Sequence, residues 1–375
     1  MKLVYLANIG LPAYWAHEIQ IMKMCEAFAL NGAEVELVVP RRSRNIKEDL
    51  FDLYGVKDIF KITQLSSLDP MPGSASRFIF WLKLFSFLNA AKSYLRGQRY
   101  DVLYTREQVV ARFFKNYVLE IHSLPEIIKP FHKKIWQQAS FLMVLTSFIK
   151  KELIDNGIPE NKIMIAPDGV DIGEFNLDLS QSEARQKTRL PSDKKIILYT
   201  GSFYLRDWKG VDVLLEAAKQ FSGDCNLVLV GGELSEIRKI KDEYQLRNLI
   251  LIDRQPHTKI PYYLKAADVL VLPNKKGDAM SEKYTSPMKL FEYMAAGRPI
   301  VASDLLSVRE ILDESNSVLV PPNNPIALAE GIKKVLSDQQ LGYQLAQKAL
   351  EHVSEFTWIN RAKKIFDKIK ERYDQ

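Results

Sequence analysis

The chain has 375 residues, 47% of them hydrophobic and 26% charged, and carries a net charge of +6. That length exceeds one ordinary core and predicts two domains, while the composition is that of a globular protein and excludes a disordered or collagen-like chain. No dense Lys/Arg tract points to nucleic acid, and no run of about 18 uncharged apolar residues predicts a transmembrane helix.

Cys25 and Cys225 lie far apart and outside any metal or redox spacing, so the expectation is a reducing cytosol without disulfides. The first residues, MKLVYLANIG, hold one lysine and a short apolar run without a small-residue cleavage site. They do not read as a signal peptide.

In chain order, the first half shows KLVYLAN (2–8), EVELVVP (34–40), DVLYT (101–105), YVLEIH (117–122), FLMVLT (141–146) and KIMIAP (162–167). These runs are apolar or β-branched without clean alternation, as strands buried on both faces of a parallel sheet are. Between the first two, AHEIQIMKMCEAFALNG places Ile19, Met22, Phe28 and Ala29 near helical spacing and ends at Asn31-Gly32. The stretch SRFIFWLKLFSFLNAAKSYLRG (76–97) is aromatic, with four cations and no acids. It reads first as a core helix, because apolar residues occupy nearly all its sides, and in the alternative as a helix at an anionic membrane surface.

The polar stretch 176–193 reads as a linker. Strand-like runs then resume: KIILYT (195–200), NLVLVGG (226–232), NLILID (248–253), DVLVLPN (268–274), PIVAS (299–303) and SVLVPP (317–322). Two βαβ series predict two tandem Rossmann-like, doubly wound α/β domains, over 1–175 and 190–355. The last segment, 356–373, reads as an amphipathic helix that packs back on the first domain. Ligands of open α/β sheets bind beyond the carboxyl ends of the strands, so the cleft between the domains is the expected site.

Two loops of the second half carry the chemistry. In TGSFYLRDWKGVDVLLEAA, Gly201 frees a turn and Lys209-Gly210 precedes a helix near Val211, the arrangement of an anion site with Arg206 and Lys209 as its charges. In YTSPMKLFEYMAAGRPIVASD (284–304), Ser286 reads as an N-cap, Pro287 as the first residue of a helix over 287–296, and Gly297 as its stop. Lys289 then falls at the third position, where the helix dipole is positive and a capping box would place Glu or Gln. Either an anion visits that end, or Lys289 is an exposed lysine paired with Glu292. Three cations at strand-to-helix junctions of one sheet edge favour a diphosphate. Neither G-x-G-x-x-G after a first strand nor G-x-x-x-x-G-K-[ST] is present, which counts against a dinucleotide oxidoreductase and a P-loop NTPase.

In family order, EIHSLPE (120–126), APDGVD (166–171), GSFYLRDWKGVDVLLEAA, AADVLVLPN (266–274) and SPMKLFEYMAAGRPIVASD resemble the motifs of GT-B glycosyltransferases of the large retaining family 4, or group 1. By that resemblance Glu292 holds the ribose hydroxyls, Lys209 and Lys289 meet the diphosphate, and the loop 253–257 lies beside the base. The implied donor site takes in Gly10, Ser202, Arg206, Lys209, Arg254, Tyr284, Thr285, Ser286, Pro287, Met288, Lys289 and Glu292. His122, Lys209 and Glu292 stand at its catalytic centre, and His17 and Arg106 on the acceptor side. No cofactor and no metal is expected. The chain departs from the commoner pattern where Tyr284 replaces the first acidic residue, where Ser202 replaces an arginine that Arg206 would substitute, and where NIGLPAYWAHEIQ lacks paired glycines.

The expected function is retaining transfer of a sugar from a nucleoside diphosphate sugar to a glycan or lipid-linked acceptor. It would serve cell-surface glycan or glycolipid synthesis, in the cytoplasm or peripherally at the inner face of the membrane. A nucleotide-sugar 2-epimerase of the same architecture and a non-catalytic nucleotide-sugar binding protein are the alternatives.

Overall fold

A computed structural model describes residues 1–13, 15–42, 49–70, 76–221 and 223–373. The chain divides into two compact units, one of Met1–Pro167 with Trp358–Gln375, the other of Asp168–Thr357. The stretch 176–193, expected as a linker, instead lies inside the second unit and holds a helix at Gln181–Thr188. Its polarity comes from that helix's solvent face. Ser180 caps it, and Glu183 returns the bond to the Ser180 backbone.

The first unit is built on a parallel sheet of β1 Lys2–Leu6, β2 Glu34–Pro40, β3 Lys61–Leu65, β4 Val102–Thr105, β5 Tyr117–Ile121, β6 Phe141–Val144 and β7 Ile163–Ile165. Their order is β3-β2-β1-β4-β5-β6-β7. β1, β4, β5 and β6 are buried almost throughout, which explains their unbroken apolar runs. β3 lies at the edge, and its mixed KITQL carries no strand-like periodicity. The segment read as a helix over 356–373 is helical over Trp358–Tyr373, belongs to this unit and packs on the first helix, Ala16–Leu30.

The second unit has β8 Lys195–Thr200, β9 Cys225–Gly232, β10 Leu249–Asp253, β11 Val269–Leu272, β12 Ile300–Ser303 and β13 Val318–Val320, in the order β10-β9-β8-β11-β12-β13. All pairings are parallel. The strand order reverses between β8 and β11, and the crevice at such a switch point is where doubly wound sheets take ligands. In the first unit the corresponding reversal lies between β1 and β4.

The aromatic stretch forms one helix, Arg77–Arg96. Leu84, Phe87, Leu88, Ala91 and Leu95 face the core, while Phe78, Leu82 and Phe85 are exposed. The reading as a core helix therefore holds for the buried face alone. Among the described residues, no helix is long and apolar enough to cross a membrane.

Candidate active site

At the carboxyl edge of the second unit, backbone geometry comes first. Gly201 follows β8 with φ 128°, and a Cβ there would lie 2.8 Å from Lys289 Nζ. Gly210, at φ 69°, lets the loop after β8 approach Pro273, whose carbonyl oxygen a Cβ would meet at 1.9 Å. Only glycine permits both approaches.

The helix expected over 287–296 runs from Met288 to Ala295. Ser286 is not its N-cap, and Pro287 is not its first residue. Pro287 occupies the cap position in an extended conformation, and the Ser286 hydroxyl accepts from the backbone N–H of Asp168 at 3.1 Å. The Ser286 hydroxyl thus serves Asp168 rather than the helix's first amides. Lys289 is thus the second helical residue, still within the positive end.

Lys289 does not pair with Glu292. Its Nζ donates to Thr200 O at 2.7 Å and lies 4.0 Å from the centroid of the Tyr199 ring. Burial, then the nearby Lys209 ammonium, push the Lys289 amine down to about 7, against the pull of Glu292. Glu292 is itself buried and meets His257 Nε2 at 2.8 Å, with Glu174 3.7 Å from the other ring nitrogen. Lys209 donates to Ser202 Oγ and sits over the rings of Tyr204 and Trp208, and burial lowers its pKa. Two amines with depressed basicity beside each other create a place where an anion is favoured.

The other donor-side residues divide. Arg206 does not join the lysines: it takes a left-handed turn at φ 61°, points into solvent and lies 3.8 Å from Glu243. The substitution for the missing arginine is therefore not realised. Arg254 pairs with Glu233 at 3.1 Å, and its backbone N–H donates to Gly232 O at 3.0 Å. Tyr284 closes a single π-helical turn, Met280–Tyr284, and the Thr285 N–H donates back to Met280 O at 2.8 Å. Met288, half-buried, opens the helix that carries Lys289 and Glu292.

At the carboxyl edge of the first unit, His122 follows β5 and meets Glu120 Oε1 at 2.6 Å through Nε2. Arg106 follows β4 and donates to Gln20 Oε1 at 2.7 Å. Gly10, half-buried, lies in the loop after β1. His17, on the first helix, is half-exposed and 3.2 Å from Glu18. Beside them, burial raises the Glu107 carboxyl, although the Asn8 N–H and Arg106 oppose it. His257 and Glu120 were not singled out in the sequence. The signals for them were a histidine ending the loop after a strand, and an acid inside a run otherwise fit for a core strand.

Two family models match the chain. The one described as Glycosyltransferase Family 4 covers residues 17–174, and the one described as Glycosyl transferases group 1 covers residues 180–352. The chain belongs to the group 1 glycosyltransferases. A member from Methanocaldococcus jannaschii, an uncharacterized glycosyltransferase, is 29% identical over 55% of this chain and 53% of its own length. The D-inositol 3-phosphate glycosyltransferase of Xylanimonas cellulosilytica is 25% identical over 75% of this chain and 69% of its own. The chain thus spans about half of the first of these relatives and about two thirds of the second. Sucrose-phosphate synthase from Thermosynechococcus elongatus superposes with a TM-score of 0.80 at 21% identity, covering 100% of this chain and 99% of that one. HepE of Anabaena, in complex with UDP and glucose, gives 0.74 at 18% identity, with 99% of both chains covered. These likenesses give the family's fold, GT-B.

Proposed function

We propose that this group 1 glycosyltransferase moves a sugar, with retention of configuration, from a nucleoside diphosphate sugar to a glycan or lipid-linked acceptor. The observation that carries the reading is the pair Lys209 and Lys289 at the β8 edge, two amines whose basicity burial has lowered. A diphosphate leaving group develops charge as its bond to the sugar breaks. Cations already held in place stabilise that charge without reorganising. Glu292 is an acceptor-only group when ionised and suits two ribose hydroxyls. A ribose would then replace or share the His257 contact.

The first unit takes the acceptor in this reading. Arg106, after β4, and His17, on the first helix, are its acceptor-side residues, while Gly10 and His122, in the loops after β1 and β5 at the same sheet edge, serve the donor sugar. The helix Arg77–Arg96 follows β3 from that same edge and exposes Phe78, Leu82 and Phe85 among cations. Such a surface suits peripheral contact with an anionic membrane carrying a lipid-linked acceptor. The site needs no cofactor in this reading.

Incubating the protein with labelled nucleoside diphosphate sugars tests the proposal. Transfer or slow hydrolysis with the α or β configuration kept supports it. Isomerisation of the sugar nucleotide would make the chain an epimerase, and binding without turnover would make it a binding protein. Thermal stabilisation by UDP, GDP, ADP and dTDP identifies the base beforehand.

A further inference from the structure

Beneath His122 lies an ion pair fully enclosed in the first unit. Glu120, on β5, has no solvent exposure, and the side chain of Arg361, on the last helix, is 3% exposed. Arg361 donates to both carboxylate oxygens, at 2.8 Å and 3.4 Å, and also to the carbonyls of Ala166 and Pro167. Gln20 donates to the same carboxylate at 2.8 Å, and Tyr104 donates to its other oxygen. Burial alone would raise the Glu120 carboxyl, but Arg361 and His122 bring it well below its ordinary value.

An ionised carboxylate only accepts hydrogen bonds. The His122 nitrogen 2.6 Å from it must therefore carry a proton. The charged groups acting on His122 within this unit are Glu120 on β5, Arg106 after β4 and Arg361 on the last helix, while the first helix offers the neutral Gln20. Burial first, then Arg106, push the imidazole down to about 4, against Glu120. The ring is accordingly neutral near pH 7, with its hydrogen on Nε2.

We propose that Arg361 is a positioning residue for His122. It keeps Glu120 a buried carboxylate, and that carboxylate fixes the Nε2–H tautomer and leaves Nδ1 to accept a hydrogen bond from a sugar hydroxyl. The last clause rests on the sugar-transfer reading, whereas the tautomer does not. The assignment explains why a guanidinium is placed so deep. A carboxylate stripped of its buried partner would take up a proton or draw one onto His122, and either change erases the acceptor.

Nitrogen-15 spectra of the histidine side chains test this in the intact chain, with the His122→Asn spectrum assigning the resonance. Wild-type His122 should be the Nε2–H tautomer and should not protonate between pH 5 and 8. In Arg361→Met either its protonation midpoint should rise by about one pH unit or more, as an uncompensated anion now faces it, or its hydrogen should move to Nδ1 as Glu120 itself takes the proton, while Arg361→Lys should stay close to wild type. In Glu120→Gln/Arg361→Met, which leaves no unpaired charge buried, the neutral amide can donate or accept, and His122 should become a tautomer mixture. An Nδ1–H tautomer in the wild type would overturn the proposal. So would a His122 in Arg361→Met that keeps both its midpoint and its Nε2–H tautomer, or a single retained tautomer in the double variant. With UDP-glucose or another accepted donor, Arg361→Met should lower kcat while leaving the donor KM near wild type. A wild type that turns over no donor removes the sugar-transfer reading but leaves the tautomer measurements decisive for Arg361.

Discussion

The Lys289 amine occupies the space that a side chain at position 201 would need: a Cβ on Gly201 would come within 2.8 Å of its Nζ. The strand end and the helix start are thus fitted to each other through one missing methyl group. Gly201→Ala forces a residue with φ near 128° and displaces the amine. It should destabilise the fold by roughly 1–3 kcal/mol and abolish most of the thermal stabilisation by nucleoside diphosphate. Differential scanning fluorimetry with and without UDP or GDP reads both effects.

Lys289 also ties ligand binding to protons. Its folded value, about 7, lies below the ordinary 10.5. Between those values the unfolded chain holds a proton that the folded chain lacks, so this group makes stability rise with pH across that window. Lys289→Met should flatten that rise and leave the apo protein at pH 7 no less stable than wild type. A diphosphate favours the charged amine. Calorimetry at pH 8 in buffers of different ionisation enthalpy should therefore show proton uptake on binding, absent in Lys289→Met. Equal uptake in both proteins would remove Lys289 from the anion site.

Glu292 should distinguish nucleoside from phosphate. Glu292→Ala loses hydrogen bonds to a charged acceptor, each worth about 1.5–3 kcal/mol at most. Affinity for a nucleoside diphosphate should fall accordingly, while affinity for inorganic pyrophosphate should change little. If the nucleotide binds both proteins equally, Glu292 serves only His257.

The exposed face of the helix Arg77–Arg96 predicts a salt-sensitive membrane affinity. The protein should sediment with vesicles containing anionic lipid at low ionic strength and be released at high salt. Phe78→Ser with Phe85→Ser should weaken sedimentation. The exposed Phe78 contributes little to the melting temperature, whereas Phe85 also packs on Trp81 and Phe113, so Phe78→Ser alone should leave the melting temperature within a degree or two. Undiminished sedimentation of the double variant would place the contact elsewhere.

Much of this architecture is readable in the sequence, and the failures share a cause. Strands β8, β9, β11 and β12 announce themselves because burial on both faces leaves continuous apolar runs. β3 does not, since an edge strand has half its surroundings in water and Lys61 reaches across to Glu36 at 2.9 Å. Lys289 was visible as a cation at the wrong end of a helix, because dipole and capping rules are local. The diversion of Ser286 to Asp168 was not, since that bond spans 118 positions. Arg206 shows the same limit: its spacing fits a phosphate loop, but one left-handed backbone angle turns it away. Arg361 sits on an amphipathic helix where a buried arginine looks like one more solvated charge, and its partner is 241 positions earlier.

The placement of Arg361 also sets a timetable. Pro167 ends the main stretch of the first unit, and the arginine that bonds its carbonyl comes 194 residues later, after the entire second unit. At translation rates of about 5–20 residues per second, the nascent first unit waits on the order of 10–40 s with no guanidinium opposite Glu120. During that interval its carboxyl must stay hydrated or protonated, so the strand β5 lacks its final ionic partner in either case. Of the two units, the one whose synthesis starts earlier is consequently completed later.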